Sequence, residues 1–83
     1  MNQTKTYYAP LKPDGMRVLA VYIMLDNRQI VNYERINSMF EISYMTFMRT
    51  MASIRDALDN FEVKSNEKLI FNKRKDSYEL IKL

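Results

Sequence analysis

The chain has 83 residues, of which 47% are hydrophobic and 28% charged, so we expect one small folded domain and not a disordered chain. It has no cysteine and no histidine, which excludes disulfides, thiolate nucleophiles and zinc-finger spacings and removes the usual general base. We therefore expect no enzyme, no metal and no cofactor, and the net charge of +3 is compatible with a polyanionic partner.

Residues 1–13 combine polar residues with Tyr7, Tyr8 and two prolines and show no hydrophobic period, which predicts an N-terminal arm. This start lacks the apolar core of a signal peptide, and nowhere does the chain reach the roughly 18 consecutive apolar residues of a membrane span. The folded domain is expected to occupy residues 14–83, in the compartment where the protein is made.

A first helix is predicted from Asp14, whose side chain is suited to cap a helix N-terminus. The run that follows, MRVLAVYIMLDNRQ, is largely apolar, so we expect this helix to lie at the centre of the core. At a period of 3.6 residues, one face is formed by Val18, Leu19, Tyr22, Ile23 and either Leu25 or Asp26.

A second, short helix is predicted over YERINSMF, residues 33–40, with Asn32 as its cap. It is preceded by QIVN, a β-branched stretch long enough for a single bridge of strand. The apolar stripe of this helix consists of Tyr33, Ile36, Met39 and Phe40.

Ser43 is suited to cap a third helix, which is predicted to run from Tyr44 to Asn60. Two helices that meet at a steep angle need an apolar wedge from both and from the turn between them. That wedge is supplied by Ile36, Met39, Phe40, Ile42, Phe47 and Met51. The stripe of the third helix consists of Phe47, Met51, Ile54, Leu58 and Phe61.

Beyond Phe61, LIFN and YELIKL are strand-like runs separated by KRKDS, which predicts a β-hairpin with Lys73, Arg74 and Lys75 at its tip. The alternation in YELIKL leaves the register of the second strand open. The complete order of elements is typical of a winged helix-turn-helix, an α+β and mainly α domain with three helices plus a C-terminal β-hairpin wing.

Residues 40–50 read FEISYMTFMRT, and the span from about Arg17 to Leu58 resembles the N-terminal DNA-binding segment of DeoR-type and WYL-containing bacterial regulators. In that pattern Phe is followed by a small residue, an aliphatic residue, Ser, two variable positions, Thr, an aliphatic residue, a variable position and Arg-Asp. Here Glu41 stands where Gly is usual and Thr50 replaces the Asp. The large effector-sensing part of such regulators is missing, so we expect either an excised domain or a small protein regulated in another way.

The resemblance implies that Ser43, Thr46 and Arg49 face the DNA backbone. It also implies that the three variable positions, Tyr44, Met45 and Met48, approach the base edges. Those three residues, one tyrosine and two methionines, form an unusual solvated face, and they could equally bury against another protein. The candidate DNA-binding residues are Ser43, Tyr44, Met45, Thr46, Met48, Arg49, Arg55, Lys73, Arg74 and Lys75.

The expected function is sequence-specific binding of double-stranded DNA by a small transcriptional regulator, with helix 44–60 in the major groove and the wing on flanking DNA. A homodimer or a side-by-side oligomer is expected on the DNA, in the cytoplasm of a bacterium or of the host of a phage or plasmid. Two alternatives remain, namely a plasmid or phage adaptor for segregation, replication or packaging, and a winged helix used as a protein-interaction module.

Overall fold

The computed structural model describes residues 13–60 and 66–83. Within them, three helices precede an antiparallel hairpin of two strands, which confirms the predicted mainly helical α+β order. The elements are α1 (Pro13–Asp26), α2 (Tyr33–Phe40), α3 (Tyr44–Asn60), β1 (Glu67–Asn72) and β2 (Ser77–Lys82). The predicted arm up to residue 12 lies outside the described residues, as does Phe61.

The first helix begins one residue earlier than predicted. Pro13 is its first residue, where proline is favoured because its fixed φ suits the helix and its missing N–H would have no helical partner. Asp14 therefore lies in the first turn instead of capping it, and its carboxylate forms an ion pair with Arg17 at 2.7 Å.

The buried face of α1 differs from the predicted one. Leu19 and Ile23 are about half exposed, and they lie on the same exposed side as Met16. The helix is apolar on both sides, so its period could not indicate which side would face the core. The face that packs inward consists of Val21, Met24 and Leu25, with Val18 and Tyr22 at its margin.

The bounds of α2 and α3 agree with the prediction, and both predicted caps are present. The Asn32 side chain accepts a hydrogen bond from the backbone N–H of Arg35 at 2.9 Å. Met39 is the exception in the predicted wedge, because it is half exposed. Since each residue turns the helix by about 100°, Met39 lies roughly 90° around the axis of α2 from the stripe that packs inward. The stripe is Tyr33, Ile36 and Phe40.

The second strand of the hairpin is hydrogen-bonded to the segment that precedes α2. Segment 29–32 does not form the predicted strand, but the Val31 carbonyl accepts a hydrogen bond from the Tyr78 N–H at 2.8 Å. The Val31 N–H in turn donates to the Ser77 hydroxyl, also at 2.8 Å. In the hairpin Leu69 pairs with Leu80, and both side chains are buried against the helices.

The core lies between α1, α3 and the inner face of the hairpin. Phe47 and Met51 project into it from α3 and are almost completely buried, and Ile36 closes it from α2. The buried hydrophobic residues are Val21, Met24, Leu25, Val31, Ile36, Phe47, Met51, Ile54, Leu69 and Leu80.

Candidate functional site

The N-terminus of α3 is organised by two hydroxyl groups. Ser43 Oγ accepts a hydrogen bond from the backbone N–H of Thr46 at 3.1 Å, which satisfies one of the open donors of the first turn. The same hydroxyl donates to Thr46 Oγ1 at 3.1 Å. Because a hydroxyl can both donate and accept, Thr46 Oγ1 can still form a hydrogen bond with a group outside the domain.

The outward side of α3, which we call the outer face, consists of Tyr44, Met45, Met48 and Arg49. Met45 is 67% exposed and Tyr44 is 56% exposed, although both are large apolar side chains. Arg49 is exposed beside them. Two methionines and a tyrosine exposed together on one short surface are characteristic of a contact surface, because such side chains are more stable when buried against a partner than when left in water.

Arg55 lies further along the same side of α3, close enough to Tyr78 for its charge to affect the pKa of the Tyr78 hydroxyl. Partial burial raises the pKa of the Tyr78 hydroxyl, the neighbouring Tyr44 hydroxyl raises it further, and the Arg55 guanidinium opposes both effects. The Tyr78 hydroxyl also donates to the Met48 sulfur at 3.8 Å. The outer face of α3 is therefore in contact with the second strand of the hairpin.

The predicted basic tip is the turn at residues 73–76, here called the hairpin turn. Asn72 Oδ1 accepts hydrogen bonds from the backbone N–H groups of Arg74 at 3.0 Å and Lys75 at 3.2 Å, which fixes the path of the turn. The Lys75 ammonium lies 3.7 Å from Glu79 Oε2, whereas Lys73 and Arg74 are exposed without an ion pair in the described part of the chain. Lys73 and Arg74 are thus the stronger candidates for an anionic partner.

An aromatic cavity of about 370 Å³ opens between the start of α2, the start of α3 and the outer end of the hairpin. Phe47 forms its floor and is 2% exposed. Asn32 and Asp76 are the polar residues of its lining. The rings that surround it are those of Tyr33, Tyr44, Phe47, Phe71 and Tyr78.

The structure brings most of the predicted site residues onto two neighbouring surfaces. Ser43, Thr46 and the outer face lie at the start of α3, and the hairpin turn carries three cations. The aromatic cavity between these surfaces was missed by sequence reasoning. Its signal was present in Phe71 and Tyr78, which are separated by the predicted turn and can therefore face each other across a hairpin.

Acidic residues do not form a second site in the described part of the chain. Asp56 and Asp59 are exposed near the end of α3. Within residues 13–60 and 66–83, no three side chains of the metal-ligating types converge on a point that could hold a metal ion. Nor is any helix in these ranges long and apolar enough to cross a membrane.

Comparison with family models, curated proteins and solved structures finds no match to this chain. Its function therefore has to be inferred from its own residues and their geometry.

Proposed function

We propose that this chain is a winged helix-turn-helix domain that binds double-stranded DNA as a small transcriptional regulator. The observation that carries the proposal is the outer face of α3, where large apolar side chains and Arg49 are exposed on a helix whose N-terminus is capped by Ser43. The resemblance of residues 40–50 to DeoR-type and WYL-containing regulators supports the same function. On this proposal, α3 enters the major groove and the hairpin turn is the wing.

The roles of the residues follow from their chemistry. The Thr46 hydroxyl and the Arg49 guanidinium donate to phosphate oxygens and set the register of the domain on the duplex. Tyr44, Met45 and Met48 contact base edges, where the thymine methyl group is the apolar feature of the major groove. Lys73 and Arg74 reach phosphates flanking the groove that α3 occupies.

The acidic residues at the far end of α3 are compatible with this arrangement. Asp56 lies about 20 Å from Ser43 at the helical rise of about 1.5 Å per residue. Exposed charges separated by more than about 8 Å are largely screened at physiological ionic strength. The carboxylates of Asp56 and Asp59 therefore weaken the attraction of phosphates to the start of the helix only slightly.

A single domain of this size makes few contacts with DNA, so we propose that it acts as a homodimer or as copies bound side by side. The half-exposed side of α1, formed by Met16, Leu19 and Ile23, is the surface proposed for contact between copies. Leu19 also lines an apolar groove of about 680 Å³ between α1 and α3. Sedimentation velocity of the wild type and Leu19→Glu, with and without duplex, tests this assignment.

The experiment that tests duplex binding is its dependence on salt. Affinity for an arbitrary duplex, followed by fluorescence anisotropy, is expected to fall steeply between about 50 and 200 mM salt. In the double variant Lys73→Gln/Arg74→Gln the slope of log K against log salt should fall by about 0.9 for each phosphate that the variant no longer neutralises. Lys82→Gln is the control, because Lys82 lies at the opposite end of the hairpin.

The same face favours two other functions. An adaptor for DNA segregation, replication or packaging would bind duplex DNA through the same residues, and selection from a random duplex library separates a defined operator from general binding. A protein-interaction module would use Tyr44, Met45 and Met48 alone. Absence of duplex binding at low salt would exclude the regulator and the adaptor together.

A further inference from the structure

The aromatic cavity is built from rings that belong to two helices, α2 and α3, and to both strands of the hairpin. Tyr33 and Tyr44 meet edge to face with ring centroids 5.4 Å apart, and each also contacts Phe47 on the floor. On the opposite side Phe71 and Tyr78 pack edge to face at 5.0 Å, and Tyr78 contacts Phe47 at 5.9 Å. The rings therefore form an almost continuous aromatic lining around an open space.

Packing of the core does not account for the whole of this lining. Phe71 is 43% exposed at the rim, opposite the exposed Tyr44, although either ring would be more stable in contact with another apolar or aromatic group. The volume of about 370 Å³ lies within the range of about 300 to 1,000 Å³ for small-molecule sites. A flat ring system inserted into this space would cover the exposed faces.

The charges near the rim indicate what kind of flat ring system fits. Lys73 and Arg74 are exposed on the hairpin turn next to Asp76, and Arg55 acts electrostatically on Tyr78 in the cavity wall. Three cations on the segments that adjoin the cavity outnumber the one carboxylate in its lining, that of Asp76, and they oppose an organic cation as the ligand. They favour an aromatic group that carries a phosphate, because each phosphate can approach a cation while the ring stacks inside.

We propose that the aromatic cavity binds one unstacked nucleobase of single-stranded DNA, with the adjoining phosphates on Lys73 and Arg74. Aromatic stacking platforms beside positively charged surfaces are the general means of holding single strands. This proposal goes beyond duplex binding, because Phe71 has no role in the contacts proposed there. It is also independent of the outer face of α3, except for Tyr44.

Asp76 gives the cavity a preference among bases. Its backbone carbonyl accepts from Asn32 Nδ2 at 2.9 Å, and the same amide lies 3.5 Å from Oδ2, so Oδ1 is left to accept from a ligand. A carboxylate accepts only, and cytosine offers it an exocyclic amine, whereas the N3–H of thymine lies between two carbonyl oxygens that repel a carboxylate. Cytosine is therefore expected to bind more tightly than thymine.

The test uses fluorescein-labelled dC and dT 12-mers and a duplex, titrated with the whole chain and its Phe71 variants. Phe71→Leu keeps an apolar side chain but removes the ring, and it should weaken binding to the dC strand about 5- to 150-fold, as expected when the base loses one of the rings on which it stacks. Phe71→Trp should bind the strand like the wild type. Met39→Leu, an exposed apolar site on α2 away from the cavity, is the control and should change nothing.

The titration of duplex DNA distinguishes failure of this proposal from failure of the proposed function. Phe71→Leu should leave duplex affinity unchanged and lower the melting temperature by only a few degrees, through loss of the ring contact with Tyr78. Duplex binding without any single-strand binding overturns the cavity proposal alone, and so does a Phe71→Leu variant that binds the dC strand like the wild type. Single-strand binding without duplex binding supports the cavity and overturns the duplex function.

Two further measurements identify the ligand. Deoxycytidine monophosphate should compete only at concentrations far above the strand; equal competition would assign the cavity to a free nucleotide and overturn the single-strand assignment. Asp76→Asn keeps a residue suited to the positive φ of 52° and replaces the carboxylate by an amide. It should abolish a preference of about tenfold for dC over dT, and an unchanged preference would overturn the role of Asp76.

Discussion

Arg17 Nε donates a hydrogen bond to Thr50 Oγ1 at 3.1 Å and thereby ties α1 to α3 directly beneath the outer face. Thr50 is 2% exposed, and its hydroxyl donates to the Thr46 carbonyl one turn earlier. Thr50 occupies the position where the DeoR-type pattern has Asp after Arg. The Thr50 hydroxyl accepts the hydrogen bond from Arg17 that the carboxylate of an Asp at this position could accept. It does so without burying a second charge.

Replacing Thr50 with Val keeps the shape of the side chain but leaves the Arg17 Nε–H without its partner. We expect the free energy of unfolding to fall by about 1–2 kcal/mol, as for a partly buried bond to a charged group. Urea titration measures the change. Asp14→Asn removes the other partner of Arg17, an exposed carboxylate, and should cost under about 1 kcal/mol. An equal cost for both variants would contradict a structural role for Thr50.

Ser77→Ala should also destabilise the fold, because the Ser77 hydroxyl is the acceptor for the Val31 N–H. Val31 is completely buried, so this donor would lose its partner without gaining water. A loss of about 1–3 kcal/mol is expected in urea titration, with faster hydrogen exchange at the Val31 amide. Ser38→Ala is the matched control, since the Ser38 hydroxyl donates to the Arg35 carbonyl in an exposed position. A Ser77→Ala variant as stable as Ser38→Ala would show that the hairpin is held in another way.

Glu41→Gly should stabilise the protein, because Glu41 ends α2 in the left-handed conformation with φ 55° and ψ 60°. This region is costly for a residue with a Cβ by about 1–2 kcal/mol, while glycine loses about 0.5–1 kcal/mol of chain entropy. A net gain of up to about 1 kcal/mol is expected in the melting curve. Glu41→Ala keeps the Cβ and should give no gain, so equal stabilisation by both variants would assign the effect to the carboxylate.

Alkaline pH should destabilise the fold through two tyrosines. Burial raises the pKa of Tyr22, as do the nearby Glu67 and Asp26 carboxylates, and burial with the Tyr44 hydroxyl raises that of Tyr78. An unfolded tyrosine ionises near pH 10, so above that pH the unfolded chain releases protons first and stability falls as pH rises towards the folded pKa values. Tyr22→Phe/Tyr78→Phe should lose less stability between pH 9 and 11 than the wild type; a parallel loss would contradict the raised pKa values.

The bounds of α2 and α3 could be predicted because their signals are local. Asn32 and Ser43 cap the two helices with their own side chains, and each helix has one continuous apolar stripe at the helical period. In α1 the local signal fails, since Leu19 and Ile23 are as hydrophobic as Val21. The positions of α3 and the hairpin decide which side of α1 is covered.

The aromatic cavity could not be predicted for a related reason. Tyr33, Phe47 and Tyr78 are distant in sequence. Tyr33 and Phe47 meet where α2 packs on α3, and Tyr78 joins them where the Val31 backbone is bonded to the start of β2. The outer face of α3, in contrast, depends on the period of one helix. Exposed Met45 follows directly from the buried position of Phe47 two residues later, whereas Tyr44, three residues before Phe47, lies at the margin of the packed side.

Arg49→Ala and Phe47→Ala separate the binding surface of α3 from its packing surface. Arg49 is exposed, so its removal should leave the melting temperature within about 2 °C, as for a surface substitution. Duplex affinity should fall, and the salt slope should decrease by about 0.9, because one phosphate is no longer neutralised.

Phe47 is 2% exposed and touches three other rings, so Phe47→Ala should lower the free energy of unfolding by roughly 3–5 kcal/mol. For a domain of this size such a loss is a large part of the total stability, and circular dichroism should show partial unfolding at 25 °C. Binding by Phe47→Ala is therefore compared at low temperature, where the folded fraction is highest. If Arg49→Ala unfolds the domain while the remaining folded protein binds duplex as tightly as the wild type, Arg49 belongs to the packing of α3 and the outer face has been assigned to the wrong side of the helix.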